Sequence, residues 1–323
     1  MNKTKALVLI RVSDEEKEIF TQFKDKIDFT FKDKEKYTIT KEDVCNAQII
    51  IGYPPRKFLK DANNLEWLQM ISSGVDKYME ANVVPKQTIL TNAKGSYGDS
   101  QSEFMLSLLL SLMKKIHIYR DNQLKAKWHD EGSVMMLKGS TAIVIGLGDI
   151  GSEFSRLLKA FGVHVIGVRR DVTKKCNHVD ELYSFTQLDS IIPRADIIAM
   201  VVPSTPETQN LINAKRIAMM KEGSVLVNTG RGVTVDNEAL CDSIEQGKIS
   251  GAALDVFNIE PLPKDHRAWK IKNLIITPHS AGQDYMEHNW KKTLDLIEYN
   301  LRAYLDGKKL KNVVDRDIYE FKE

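Results

Sequence analysis

The stretch STAIVIGLGDIGSEFSRLLKAFGVHVIGVRRD, residues 140–171, decides the fold. Its opening aliphatic run predicts a buried strand that stops at GLGDIG, the glycines Gly146, Gly148 and Gly151. A helix follows, because Phe154, Leu157, Leu158 and Phe161 fall at i, i+3, i+4 and i+7. Gly162 is placed to end that helix, and HVIGV (164–168) is the next strand. Strand, glycine turn, helix and strand in direct succession make a parallel βαβ unit. That context gives GxGxxG its meaning: Gly146 permits the tight turn, Gly148 admits a pyrophosphate against the backbone, and Gly151 lets the helix pack on the strand. The helix N-terminus then offers free N–H groups to the phosphates. The alternative is a tight βα turn with no ligand.

The second strand ends in Arg169, Arg170 and Asp171. An acidic side chain at this point accepts hydrogen bonds from the adenosine ribose 2′-hydroxyl and favours NAD. An arginine does the reverse, since its planar fork suits a 2′-phosphate. Arg169 follows the strand directly, which predicts NADP, with NAD possible. Two readings stay open beside it: Asp171 as the ribose acid, and a solvated charge cluster. Arg170 adds charge, though strand alternation points it elsewhere.

Working outward, strands are expected at 196–202, 224–228, 250–256 and 274–277, alternating with helices. That is the pattern of a doubly wound parallel sheet. The first hundred residues carry three more strand candidates, 6–12, 47–53 (stopped by Pro54-Pro55) and 65–74. Ser13 with Glu16 forms a capping box for a helix after the first of them. FMLSLLLSLM (104–113) reads as a buried helix, with a subunit-interface helix as second option, and is too short to span a bilayer. Residues 285–306 predict one long helix with Trp290, Leu294, Ile297, Leu301 and Leu305 on one face and Gly307 at its end. The change of rhythm alone would put a domain boundary near 139.

With 323 residues, two domains are expected. Lys and Arg number 46 against 44 Asp and Glu, a net charge of +2, so no electrostatic case exists for nucleic acid or an anionic membrane. The three cysteines, Cys45, Cys176 and Cys241, are far apart and form no CxxC, which supports neither disulfides nor a metal site. The N-terminal apolar run is too short for a signal peptide, so the cytoplasm is the expected location.

Three later segments read as chemical. VNTGRG (227–232) flanks Arg231 with glycines, LDVFNIEPLP (254–263) contains Asp255 and Glu260, and TPHSAG (277–282) places His279 just past a strand. Ligands of open α/β sheets bind outside the carboxyl ends of the strands, where Arg231, Asp255 and His279 all fall. Each has a bland reading as a surface charge, helix cap or loop histidine. Together they suit reduction of a 2-oxo acid. Hydride addition to a ketone creates an alkoxide that needs a proton, and imidazole gives and takes protons near neutral pH. A carboxylate such as Glu260 fixes the tautomer and stabilises the imidazolium. A permanent cation such as Arg231 binds the substrate carboxylate and polarises the carbonyl.

These motifs, with VVPSTPET (201–208) and NLIITPHSAG (273–282), resemble in order and approximate spacing those of the D-isomer-specific 2-hydroxyacid dehydrogenases. The resemblance implies a Rossmann cofactor domain inserted into a smaller flavodoxin-like substrate domain, both doubly wound parallel sheets. It divides the chain into residues 1–98 plus 287–323, the substrate domain, and 99–286, the dinucleotide-binding domain. It implies that Arg231, Glu260 and His279 are catalytic and that Asp255 holds the nicotinamide carboxamide. Cofactor contacts are implied for Gly146, Gly148, Asp149, Ile150, Gly151, Arg169, Arg170, Val202, Pro203, Thr208, Thr229, Gly230, Ser280 and Gly282. ISSGVDKY (71–78) looks like the substrate-carboxylate loop, with backbone N–H groups near Ser73, Gly74 and Val75. Tyr53 is a candidate pocket residue or, equally, a packing aromatic. Arg169 matches the arginine pattern of the NADPH-using glyoxylate and hydroxypyruvate reductases. The length argues for these over the longer phosphoglycerate dehydrogenases. A homodimer acting on a small 2-oxo acid is the expectation. An NAD-dependent D-lactate-type dehydrogenase and a dinucleotide-sensing scaffold or corepressor are the alternatives.

Overall fold

The strand order of each sheet explains why so many polar residues gather at strand ends. A computed structural model describes residues 3–33, 36–80 and 83–319. The chain divides into one unit of Met1–Ser96 with Gln283–Glu323, and a second of Tyr97–Gly282.

In the first unit the described residues form a five-stranded sheet of order β2-β1-β3-β4-β5. Its strands are β1 (Thr4–Leu9), β2 (Ile27–Phe31), β3 (Ile49–Gly52), β4 (Trp67–Gln69) and β5 (Ile89–Thr91), and every pairing is parallel. Side-chain alternation builds a core on each face. Ala6, Val8, Ile49 and Ile51 face one way with Phe20, Leu294, Ile297 and Leu301. Leu7, Leu9, Ile50, Leu68 and Leu90 face the other. The Ser13–Glu16 capping box is present at the first helix, and Trp290 donates its indole N–H to the same Glu16 at 2.6 Å. The long helix, Glu287–Leu305, thus returns to cover β1. Strands β2 and β5 were not foreseen. β2 is a half-exposed edge strand, and β5 is three residues long, so neither carries a distinct apolar run.

The second unit holds a seven-stranded sheet of order β12-β11-β10-β9-β6-β7-β8. These are β6 (Thr141–Ile145), β7 (His164–Val168), β8 (Glu181–Tyr183), β9 (Ile197–Met200), β10 (Val225–Asn228), β11 (Gly251–Leu254) and β12 (Leu274–Ile276), again all parallel. Order reverses between β6 and β9, which opens a crevice at their carboxyl ends. The rhythm-based boundary near 139 is corrected here. Helix Gly98–Met113 buries Met105, Leu109 and Leu112 in the same core as Val144, Ala199 and Val227. Its apolar face therefore belongs to this sheet, and the unit begins at Tyr97. The chain passes from one unit to the other at 96/97 and 282/283, where crossings after 98 and 286 are expected from the sequence. Among the described residues no helix is long and apolar enough to cross a membrane.

Candidate active site

The crevice of the second unit is built by the GLGDIG turn. Gly146 takes φ 101°, the left-handed side that favours glycine. A Cβ on Gly151 would lie 1.9 Å from the Gly146 carbonyl oxygen, so the helix Asp149–Ala160 sits too close for any other residue. A Cβ on Gly148 would meet nothing within 4 Å, because that position faces open space. Among the described residues the N–H groups of Gly148, Asp149, Ile150 and Gly151 have no partner in the protein. Four unpartnered donors at a helix start, with positive dipole behind them, form an anion site. Thr229, just past β10, has a buried Oγ1 that likewise finds no partner. These features fit the pyrophosphate and ribose of a dinucleotide.

The other expected cofactor residues divide by what they touch. Asp149 contributes its N–H but turns its carboxylate away, accepting from the Tyr97 N–H at 3.3 Å. A Cβ on Gly98 would lie 2.6 Å from that carboxylate, so a larger residue at the start of the neighbouring helix would displace it. Val202 and Gly230 press together, with a Gly230 Cβ 2.8 Å from the Val202 carbonyl. Thr208 is buried and donates to the Pro203 carbonyl at 2.6 Å, which shapes the loop after β9.

At the end of β7, Arg169 is half-buried and its guanidinium has no hydrogen bond or ion pair among the described residues. Arg170 points elsewhere and pairs with Glu207 at 2.8 Å. Asp171 accepts from the Thr173 hydroxyl at 2.6 Å and its N–H at 3.0 Å. Those bonds hold its carboxyl below the usual range and make it a local turn former. Arg169 lines a cleft of about 440 Å³ that also meets Gly148, Lys175, Asn177 and His178. Lys175 and His178 escaped sequence reasoning. They lie in TKKCNH (173–178), which carries no strand or helix signal, and only the fold of that loop brings them beside Arg169.

The catalytic candidates come from loops after β10, β11 and β12. His279 Nδ1 lies 2.7 Å from Glu260 Oε2, and Glu260 Oε1 accepts from the Phe257 N–H at 3.0 Å. An ionised carboxylate only accepts, so Nδ1 carries the proton and Nε2 is left for chemistry. His279 has φ 52°, a strained conformation for a non-glycine residue. Its N–H donates to the Asp255 carbonyl at 2.8 Å. The Asp255 carboxylate, 1% exposed, accepts from Thr277 Oγ1 at 2.5 Å and from the N–H groups of Ser280 and Ala281 at 2.9 and 3.1 Å. Asp255 therefore braces both sides of His279, a positioning role the sequence did not disclose. Asp255→Asn keeps one good acceptor and faces an NH₂ toward donors. We expect it to lower unfolding free energy by about 1–3 kcal/mol and kcat with it, read by chemical denaturation and steady-state rates.

Arg231 donates Nη1 to the Gly230 carbonyl at 2.7 Å, and its own carbonyl accepts from Asn228 Nδ2 at 3.0 Å and Thr234 Oγ1 at 2.6 Å. A Cβ on Gly232 would lie 2.0 Å from the Phe257 carbonyl carbon. The arginine loop is thus pressed onto the segment whose Phe257 N–H holds Glu260. Gly282 stands at the end of this unit, near Gln101.

In the first unit, the loop after β4 presents Ser73, Gly74 and Val75. Among the described residues their three N–H groups have no partner in the protein. Ser72 Oγ donates to the Gly74 carbonyl at 2.7 Å and Asn92 Nδ2 to the Ser73 carbonyl at 2.7 Å, which holds the loop open. Successive free N–H groups suit a carboxylate. Tyr53 packs against both apolar clusters of this unit and donates its hydroxyl to Asp284 at 2.8 Å.

Residues 106–281 match the family model described as the NAD-binding domain of D-isomer-specific 2-hydroxyacid dehydrogenases. A glyoxylate reductase of Thermofilum pendens is 30% identical over 292 residues, 89% of this chain and 83% of that protein. A D-3-phosphoglycerate dehydrogenase of Methanocaldococcus jannaschii is 31% identical over 279 residues, 85% of this chain and 53% of that protein. A solved structure from Aeromonas salmonicida, described as a protein of the same family, superposes with TM-score 0.83 at 30% identity, covering 98% of this chain and 100% of that one.

Proposed function

This chain belongs to the D-isomer-specific 2-hydroxyacid dehydrogenase family, and we propose that it is an NADPH-preferring reductase of small 2-oxo acids, glyoxylate and hydroxypyruvate foremost. Oxidoreductase chemistry on a 2-oxo or 2-hydroxy acid with a nicotinamide dinucleotide follows from the family. The direction, cofactor preference and substrate are the proposal. The observation that carries it is the His279–Glu260 pair, which leaves imidazole Nε2 for proton transfer.

When bound, the reduced nicotinamide supplies hydride. His279 Nε2 gives a proton to the carbonyl oxygen as it becomes an alkoxide, and Glu260 stabilises the imidazolium before that transfer. Arg231 offers a permanent cation to the substrate carboxylate and carbonyl. In the first unit, the free N–H groups of Ser73, Gly74 and Val75 suit a carboxylate. For the cofactor, Arg169 with Lys175 and His178 favours a 2′-phosphate, and Asp171 is engaged in its own turn. A cytoplasmic homodimer completes the proposal. Leu124, Trp128 and Met136 leave apolar surface on the second unit that a second copy would cover.

The test is a panel of glyoxylate, hydroxypyruvate, pyruvate and oxaloacetate with NADPH and NADH. We expect the highest kcat/KM for glyoxylate or hydroxypyruvate with NADPH. Consumption of neither cofactor with any of these acids would overturn the reading, and a preference for NADH would overturn its cofactor half.

A further inference from the structure

The three free N–H groups after β4 owe their direction to whatever holds the carbonyls before them. In a trans peptide the C=O of one residue and the N–H of the next share a plane and point opposite ways. The Ser72 carbonyl accepts from the Ala93 N–H at 2.9 Å, the Ser73 carbonyl from Asn92 Nδ2 at 2.7 Å, and the Gly74 carbonyl from Ser72 Oγ at 2.7 Å. These bonds fix the planes that carry the N–H groups of Ser73, Gly74 and Val75. The bonds to Ser72 and Ser73 come from Ala93 and Asn92, in the loop after β5.

That loop is itself held from the far end of the chain. The Asn92 N–H donates to the Asn312 carbonyl at 3.2 Å, and Asn312 Nδ2 donates to the Lys94 carbonyl at 2.6 Å. Asn312 does this at φ 56°, a left-handed conformation that asparagine tolerates. Val313 bridges Thr91 in antiparallel fashion, and the Val314 N–H donates to the Leu90 carbonyl at 2.9 Å. A polar chain lies beneath. Asn300 of the long helix accepts from the Lys311 N–H at 2.8 Å and donates Nδ2 to Gln69 Oε1 at 2.9 Å, and the same Gln69 oxygen accepts from Thr91 Oγ1 at 2.8 Å. Gln69, Thr91 and Asn300 are fully buried, where an unpaired polar group is costly. The segment from Lys311 to Val314 therefore has one register against β5, and that register sets where Asn92 stands.

We propose that Asn92, clamped by Asn312, is a positioning residue for acid binding: it holds the Ser73–Gly74 peptide so that the Gly74 N–H is aimed at the substrate carboxylate. The inference rests on the proposed 2-oxo acid reduction and adds a residue to its substrate site. Donors oriented in advance lower the cost of binding, so the effect falls on affinity for the acid.

The test compares full-length wild type with Asn92→Ala, Asn92→Asp and Asn312→Gly. Asn92→Ala removes the donor. Asn92→Asp keeps the shape and the acceptor for the Lys94 N–H, 3.3 Å away, but has no hydrogen to give Ser73. Asn312→Gly suits the backbone and removes the bond to Lys94. We expect the KM for glyoxylate to rise about three- to tenfold in Asn92→Ala, the loss of one hydrogen bond, and at least as much in Asn92→Asp. Asn312→Gly should show a smaller rise. The KM for NADPH and kcat should stay within about twofold, and amide hydrogen exchange of residues 73–75 should quicken in both Asn92 variants. A wild-type KM for glyoxylate in Asn92→Asp, or unchanged exchange in both Asn92 variants, overturns the inference while the reductase reading survives. So does a merely structural outcome, in which kcat, both KM values and the thermal midpoint move together. Wild-type protein that reduces neither glyoxylate nor hydroxypyruvate overturns the reductase reading, and hydrogen exchange then decides the positioning alone. If the Asn92 variants do not fold, Asn312→Gly decides by the same two readouts.

Discussion

His279→Ala should leave the dinucleotide bound and reduce kcat by about 10²–10⁴, the range expected when a positioned general acid is removed. The physical reason lies in the pair it breaks. Glu260 holds the Nδ1 proton at 2.7 Å, so the imidazole has one tautomer and presents Nε2. Alanine removes the proton source and leaves Glu260 with its Phe257 N–H partner. The imidazole is 47% exposed, so its loss should cost the fold little. Alanine also fits the φ of 52° no better than histidine does, so backbone strain is not relieved. The measurement is turnover of glyoxylate beside NADPH binding by fluorescence. Near wild-type kcat would sink the catalytic assignment, and loss of cofactor binding would show the residue to be structural. Glu260→Gln is the companion variant. Its amide oxygen can still accept from Nδ1, but it no longer stabilises imidazolium, so an intermediate loss and an altered pH profile of kcat are expected.

Arg169→Asp should weaken NADPH by about 10²–10³ and NADH far less. A charge-assisted hydrogen bond contributes about 1.5–3 kcal/mol, and an aspartate adds repulsion of the 2′-phosphate. With a factor of ten in affinity for each ~1.4 kcal/mol, both effects together reach that range. The guanidinium has no ion pair among the described residues to compensate, unlike Arg170, which pairs with Glu207. Lys175 and His178 line the same cleft, so some NADPH binding should persist and should decline with added salt. Equal response of the two cofactors would reduce Arg169 to surface charge. Asp171 would then not inherit the role without giving up its two bonds to Thr173.

The βαβ unit was legible because its periodicities and glycines are local. Phe154 and Leu158 are fully buried as the helical spacing requires, Leu157 is half-buried, and Phe161, expected on the same face, caps the helix end 45% exposed before Gly162 at φ 75°. The long C-terminal helix was legible for the same reason, since Leu294, Ile297 and Leu301 share one face. Strand β8 was not, because its three half-buried residues, Glu181–Tyr183, carry no pattern against which to read it.

The sequence by itself determined which residue types stand at the strand ends: the glycine turn, the arginine after β7, and the Arg231, Glu260 and His279 set. These depend on short-range order along the chain, which sequence records directly. Only the tertiary structure decided which partners those residues keep. It turned Asp149 toward Tyr97, committed Asp255 to bracing the His279 loop, tied Asp171 to Thr173, and brought Lys175 and His178 to Arg169. It also joined Tyr53 to Asp284 across 231 residues of chain. Hydrogen bonds and ion pairs between loops depend on how parallel strands are ordered in the sheet, and no local spacing in the sequence encodes that order.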